Sequence, residues 1–388
     1  MHHVSHYSYS YNQSDWESDI KQIQANGVDA VALNIGSDPW EVTQVASAYA
    51  AAQAAGPDYK LFISFDFTSW PCDVSATVAQ ANLYASHPNQ FMVDGKPMIS
   101  SYEGACLGVD GWAQVKAQTA GYLMPFVSGQ EGDFDSWTSW DSWYAWGAAW
   151  PQSDAAISTA DDEYYLSLLH DRYATTVSGG FFTHYESKNR ILSADDWLLS
   201  TRWEQLFSLR DNLTFVEMVT WNDFGESDYF GAVKGSQPTG TTWATGYDHT
   251  PWLEMSKYYI TAFKTGTYPD IQDDTIYYWA RTHPAAATAA ADSLPRPDNT
   301  DWTTDYLWAA VFATGPGSVT LTTGSSSQTF VNVTAGVNKL KIPLAAGNIT
   351  VSLVRDGKTV ISKTDAGYTY TESPELYNYN FYVGSASA

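Results

Sequence analysis

Short apolar, β-branched runs alternate with longer helix-type segments from the first residues to about residue 221, and this alternation limits the possible folds more than any other feature. Val28 to Ile35 is a buried-strand run followed by an Ala-rich helical stretch that ends near Gly56. Lys60 to Phe65, Pro97 to Tyr102, Tyr122 to Val127, Tyr173 to Val177 and Phe215 to Trp221 repeat the strand pattern. Val74 to Ser86, Val115 to Ala120, Asp161 to His170 and Ser193 to Arg210 read as helices between them. Ser14-Asp15-Trp16-Glu17 has the capping-box pattern that opens a helix, with Gly27 as its stop. Edge strands at His3 to Ser5 and Trp143 to Trp146 bring the count to about eight, the number that closes a parallel barrel. The expected fold is α/β: a (β/α)8 TIM-type barrel with its connecting segment over residues 1–284 and an antiparallel β-sandwich over residues 285–388. That boundary follows Pro284, where an Ala-rich stretch and Pro295-Arg296-Pro297 look like a connector. Beyond Asp305, runs such as Ser318 to Thr322, Gln328 to Val333 and Ile349 to Val354 alternate with turn residues.

Charge excludes some partners. The formal net charge is −24, with 19 basic against 43 acidic residues, so phosphate backbones and anionic membrane surfaces are repelled and nucleic acid is not expected as a partner. No apolar run approaches the roughly 20 residues of a membrane span. Aromatic residues make up 15% of the chain, with 17 Trp and 26 Tyr, more than a core needs when indole and phenol groups must also find partners. Flat rings that stack on sugar faces would account for part of this excess. The only cysteines, Cys72 and Cys106, are too few for a disulfide framework and lack metal-ligand spacing, leaving one bridge as an option. Asn12, Asn212, Asn332 and Asn348 stand in glycan-acceptor tripeptides.

In a barrel the chemistry sits just past the C-terminal ends of the strands. The polar and aromatic residues there are Asn34, Asp66, Tyr102 with Glu103, Trp146, and Asp223 with Glu226. Asp223 and Glu226 fall in Trp221-Asn222-Asp223-Phe224-Gly225-Glu226, where Gly225 would let the backbone turn both acids inward. Two close carboxyl groups separate their pKa values through repulsion and burial, which supplies the protonated acid and ionised partner of glycoside hydrolysis. Alone, this spacing fits a helix cap and a salt bridge better. Asp66 adds weight, because a carboxylate ending the apolar run Leu61 to Phe65 needs a reason to stay charged. Glu103 also fits a solvated loop, and His184 a satisfied core histidine. Trp137, Trp140, Trp143, Trp146 and Trp150 recur as a mixture of core residues and one or two sugar platforms.

Together these segments resemble glycoside hydrolase family 71, the fungal endo-α-1,3-glucanases or mutanases. The resemblance rests on Asp15 to Ile20, Ala32 to Gly36, Lys60 to Asp66, Phe182 to Tyr185, Arg202-Trp203-Glu204 and Thr220 to Ser227, and continues through Tyr277-Tyr278-Trp279, Arg281 and His283-Pro284. It implies an enzyme of the extracellular space or cell wall, acting as a monomer without cofactor or metal, that hydrolyses α-1,3-glucan with inversion. The essential carboxylates then fall on Asp66, Asp223 and Glu226. Glu226 is assigned as general acid, Asp223 as general base at about 6.5–9.5 Å from it, and Asp66 as the group holding the reactive sugar or the water. Asn34, Glu103, Trp146, His184, Tyr185, Trp221 and Asn222 are the implied sugar contacts, and Cys72 with Cys106 the implied disulfide. Three places depart from the family pattern: Val177-Ser178-Gly179-Gly180 lacks a Ser-Pro-Trp segment, Trp146 to Pro151 differs from Ser-Trp-Asn-Ala-Trp-Pro, and His6 stands near a glycine position. They leave open an α-glucan-binding protein with weak or no turnover, and a hydrolase of another α-glucan linkage.

Overall fold

The computed structural model describes residues 1–388. Eight short parallel strands carry the first part of the chain: β1 (His2–Val4), β2 (Ala30–Ile35), β3 (Lys60–Asp66), β4 (Lys96–Tyr102), β5 (Tyr122–Phe126), β6 (Trp143–Tyr144), β7 (Tyr173–Val177) and β8 (Val216–Met218). The first five pair in chain order, with Leu33 beside Ile63 and Ile63 beside Ile99, and the last three pair in chain order as a second run. Hydrogen bonds join the two runs at both ends. The Leu123 carbonyl accepts from the Asp141 and Ser142 N–H groups (2.9 and 3.1 Å), and the His2 carbonyl accepts from Trp221 N–H (2.6 Å). Both faces of these strands are covered, so they read in sequence as continuous apolar runs.

Helices α1 (Gln13–Ala25), α2 (Glu41–Ala55), α3 (Val74–Asn82), α4 (Gly108–Thr119), α5 (Ala160–Leu169), α6 (Leu198–Leu209) and α7 (Thr250–Thr265) follow seven of the eight strands. The exception is the link from β5 to β6, where a single 3-10 turn, Phe134–Ser136, stands in place of a helix. Here Trp137 and Trp140 stack at 4.4 Å and fill the space with buried indoles. The cap of α1 differs from expectation. Asn12, not Ser14, accepts from the Ser14 and Asp15 N–H groups, and Asp15 returns the bond to Asn12 N–H (2.9 Å), because the helix starts earlier.

The C-terminal region is two four-stranded antiparallel sheets that share a core of 17 buried residues. One sheet comprises β9 (Thr275–Ala280), β10 (Tyr306–Ala313), β13 (Gly336–Pro343) and β16 (Tyr382–Ser387). The other comprises β11 (Gly317–Thr323), β12 (Ser326–Val333), β14 (Ile349–Arg355) and β15 (Lys358–Asp365). β9 lies before the boundary drawn at residue 284 yet pairs with β10 and β16. Its Ile276, Tyr278 and Ala280 face the sheet core and its Trp279 the main core, so no change in composition marks the crossing. Trp308, Phe312, Phe381 and Val383 join that main core of 57 residues. Buried Arg281 adds an ion pair to Asp195 (2.7 Å) and lies over Phe381 at 4.4 Å.

Cys72 and Cys106 form a disulfide between the loops after β3 and β4, with Cα atoms 5.9 Å apart and a sequence separation of 34. Closing a loop of this length is worth about 3–4 kcal/mol of unfolded-state entropy. The Cys72→Ser/Cys106→Ser double variant is therefore expected to lose about that much in urea unfolding. A loss under about 1 kcal/mol would mean that the two loops are already ordered in the unfolded chain.

Candidate active site

A cavity of about 410 Å³ opens at the C-terminal ends of the parallel strands. A second cavity, of about 370 Å³, lies at their other ends and is lined mainly by apolar groups such as Phe62, Phe91, Met98 and Phe215. Polar and ionisable side chains predominate in the lining of the first. Asn34 comes from β2, Asp66 and Tyr102 close β3 and β4, Trp146 follows β6, and Asp223 and Glu226 lie in the loop after β8. His2, His6 and Tyr7 reach it from β1 and the turn beyond.

The Asp223–Glu226 loop is held by its own bonds. Asp223 N–H donates to Thr220 Oγ1 (2.7 Å), and Glu226 N–H donates to Asp223 Oδ1 (3.2 Å). Gly225 earns its place by space, since a Cβ there would stand 2.5 Å from the Tyr185 hydroxyl. Lys188 forms an ion pair with Glu226. Burial and then the neighbouring Glu226 push the Asp223 carboxyl well above the usual carboxylate range, partly offset by Lys188. Asp223 is thereby disposed to keep a proton. Tyr7 and Tyr102 are also pushed up, by burial first and nearby carboxylates second, so both phenols remain neutral donors at the cavity wall.

Asp66 is half-buried, not enclosed as its strand context suggests, and its Oδ1 accepts from Thr68 N–H (3.0 Å) and Thr68 Oγ1 (2.6 Å). That contact orients the carboxylate while it lines the cavity. Of the other implied sugar contacts, Asn34 and Trp146 line the cavity, and Tyr185 sits against Gly225 beside the pair with its hydroxyl bonded to Thr241. Four are placed elsewhere. Glu103 turns to Ser128, accepting from its Oγ (2.6 Å) and N–H (3.2 Å). His184 spends both ring nitrogens inside the protein, on Asn189 (2.7 Å) and Asp292 (2.9 Å). Trp221 is buried core. Asn222 ties the loop after β8 to β1 through the Val4 N–H (2.8 Å) and carbonyl (3.0 Å).

His2, Tyr7, Asp38 and Glu41 line the cavity without having been singled out from sequence. On the wall near the start of α2, His6 Nδ1 stands 3.2 Å from Asp38 and 3.5 Å from Glu41. The Gly179-Gly180 departure also has a physical reading. A Cβ on Gly179 would lie 2.3 Å from the Trp252 ring and one on Gly180 3.2 Å from Phe381, so this segment is packed against core aromatics.

The sequence matches Glycosyl hydrolase family 71 over residues 1–388. The chain belongs to this family. Among its relatives are the glucan endo-1,3-alpha-glucosidase agn1 of Schizosaccharomyces pombe, 36% identical over 99% of this chain and 93% of that protein, and the mutanase Pc12g07500 of Penicillium rubens, 32% identical over 97% and 85%. In fold the chain is similar to the GH99 endo-alpha-mannosidase from Bacteroides thetaiotaomicron, with a TM-score of 0.50 at 13% identity, covering 65% of this chain and 80% of that one. Membership of family 71 makes this a glycoside hydrolase. The reaction class calls for two carboxyl groups facing a sugar-sized space, and Asp223 and Glu226 both line this cavity.

Proposed function

We propose that this enzyme hydrolyses the α-1,3-glucosidic bonds of α-1,3-glucan by an endo-acting, inverting mechanism carried by Asp223 and Glu226. The observation that carries the reading is the pair itself, two cavity-facing carboxyl groups on one loop, one of them pushed up by burial and by the other. The substrate follows from the relatives named as a glucan endo-1,3-alpha-glucosidase and a mutanase. Asp66 would hold the reactive sugar or the water, and Trp146 and Asn34 would position the ring. The scaffold is read as a closed (β/α)8 barrel braced by a C-terminal β-sandwich, supported by the hydrogen bonds that join the two strand runs at both ends.

In the family-based order Glu226 is the general acid and Asp223 the general base. One observation favours the reverse: Asp223 is the carboxyl raised by burial, whereas Glu226 is ion-paired with Lys188. In that order Asp223 delivers its proton to the leaving oxygen and Glu226 draws a proton from the attacking water. A secreted or cell-wall location is supported by the disulfide and by the exposure of Asn12, Asn212, Asn332 and Asn348. No helix is long and apolar enough to cross a membrane.

The test is NMR analysis of new reducing ends released from insoluble α-1,3-glucan. Oligosaccharides that appear first as the β-anomer are expected. Initial α-anomer would overturn inversion. Cleavage of a different linkage alone would overturn the substrate, and binding without release would turn the reading to an α-glucan-binding protein.

A further inference from the structure

A third carboxyl group stands behind the pair. Asp228 is only 1% exposed and follows Glu226 on the same loop. Its Oδ1 accepts a hydrogen bond from Thr220 Oγ1 (3.0 Å), and the same Thr220 oxygen accepts from Asp223 N–H (2.7 Å). A second contact locks the arrangement, because Thr220 N–H donates to the Asp228 carbonyl (2.7 Å). The Thr220 hydroxyl has one proton to give. Giving it to Asp228 leaves an oxygen lone pair for the Asp223 backbone. Asp228 thus orients the threonine that fixes the base of the Asp223 loop.

The Asp228 Oδ2 atom is buried and has no hydrogen-bond partner in the protein. The groups that face this carboxyl are Asp223 and Glu226 on its own loop, Lys188 from the turn after His184, and Tyr7 from the turn after β1. Three carboxyl groups therefore share one cation. A buried group so placed favours its neutral form, and each carboxyl that does ionise raises its neighbours. Burial first, then Asp223 and Glu226, push Asp228 well above its ordinary value.

We infer that Asp228 is a positioning residue that holds Asp223 in its working orientation through Thr220, an inference that rests on the reading of the Asp223–Glu226 pair as catalytic. It touches no substrate and acts only through its neighbours. Asp228 favours its neutral form, so what it supplies to the pair is the acceptor for Thr220 and not a charge. Loss of that acceptor is expected to lower kcat while KM stays in place.

The test uses the full chain and soluble α-1,3-linked oligosaccharides, with kcat and KM measured separately. Asp228→Asn keeps an acceptor for Thr220 and is expected to hold kcat within a few-fold of wild type. Asp228→Ala loses the acceptor and is expected to lower kcat by about tenfold with KM unchanged, and Thr220→Val, which breaks the same link from the other side, by a similar factor. A kcat within a few-fold of wild type in Thr220→Val would overturn the inference, and that variant decides the matter if Asp228→Ala fails to fold. The reading of the pair fails separately, if Asp223→Asn or Glu226→Gln retains wild-type turnover.

Discussion

Asp223→Asn and Glu226→Gln are each expected to lower turnover of α-1,3-glucan by about three orders of magnitude while leaving the fold intact. General acid–base groups typically contribute between about two and four orders of magnitude, and here both amides keep the shape and the backbone contacts of the loop. The two variants separate when the leaving group needs no proton. With an α-1,3-oligosaccharyl fluoride, the variant lacking the general acid recovers most of its activity and the variant lacking the general base does not. Recovery in Asp223→Asn would establish the order that burial favours, and recovery in Glu226→Gln the order taken from the family. Retention of activity within about tenfold by both variants on glucan would remove the pair from the mechanism.

Sequence exposes the parallel strands because their environment is uniform. Leu61 to Phe65 and Tyr173 to Val177 are covered on both faces, so apolarity alone marks them. β8 is harder to delimit. The apolar run continues to Trp221, but the strand ends at Met218 and the residues beyond it turn to carry Asp223. β9 shows a different limit: its two apolar faces serve two cores, and the chain enters the second fold without passing a linker.

The candidate site is legible where chemistry and position coincide and obscure where long-range partners decide. Asp66, Asp223 and Glu226 follow apolar runs, and the topology brings all three to one cavity. His184 and Asn222 also follow such runs, but their partners are Asp292, 108 residues away, and Val4, 218 residues away. No local pattern announces those bonds. Lys188 is a comparable omission, a surface-type residue in sequence that proves to be the cation beside Glu226. The Gly179-Gly180 segment reads in sequence as the loss of the tryptophan in the family's Ser-Pro-Trp. In the fold, Trp252 and Phe381 press against those two glycines. A tryptophan restored there would meet the core before it met a sugar.

Arg202 gives the second large expected effect, and it is on stability. Its guanidinium is fully buried and reaches Asp162 at both oxygens (2.5 and 2.8 Å), Thr175 Oγ1 (2.6 Å) and the Thr176 carbonyl (3.1 Å). Asp162 also accepts from the Tyr173 hydroxyl (2.8 Å), so α5, α6 and β7 meet at one charge pair. Arg202→Met leaves that carboxylate buried without its cation, at an expected cost of about 3–5 kcal/mol. The double variant Arg202→Met/Asp162→Leu removes both charges and is expected to regain most of the loss, because an ion pair in a dry site gains little over apolar packing. Urea unfolding of the two variants measures the difference directly. A single-variant cost below about 1 kcal/mol would show that water reaches Asp162. The pair lies beneath the strands and away from the cavity lining, so kcat at low temperature is expected to survive in the single variant while the unfolding midpoint falls.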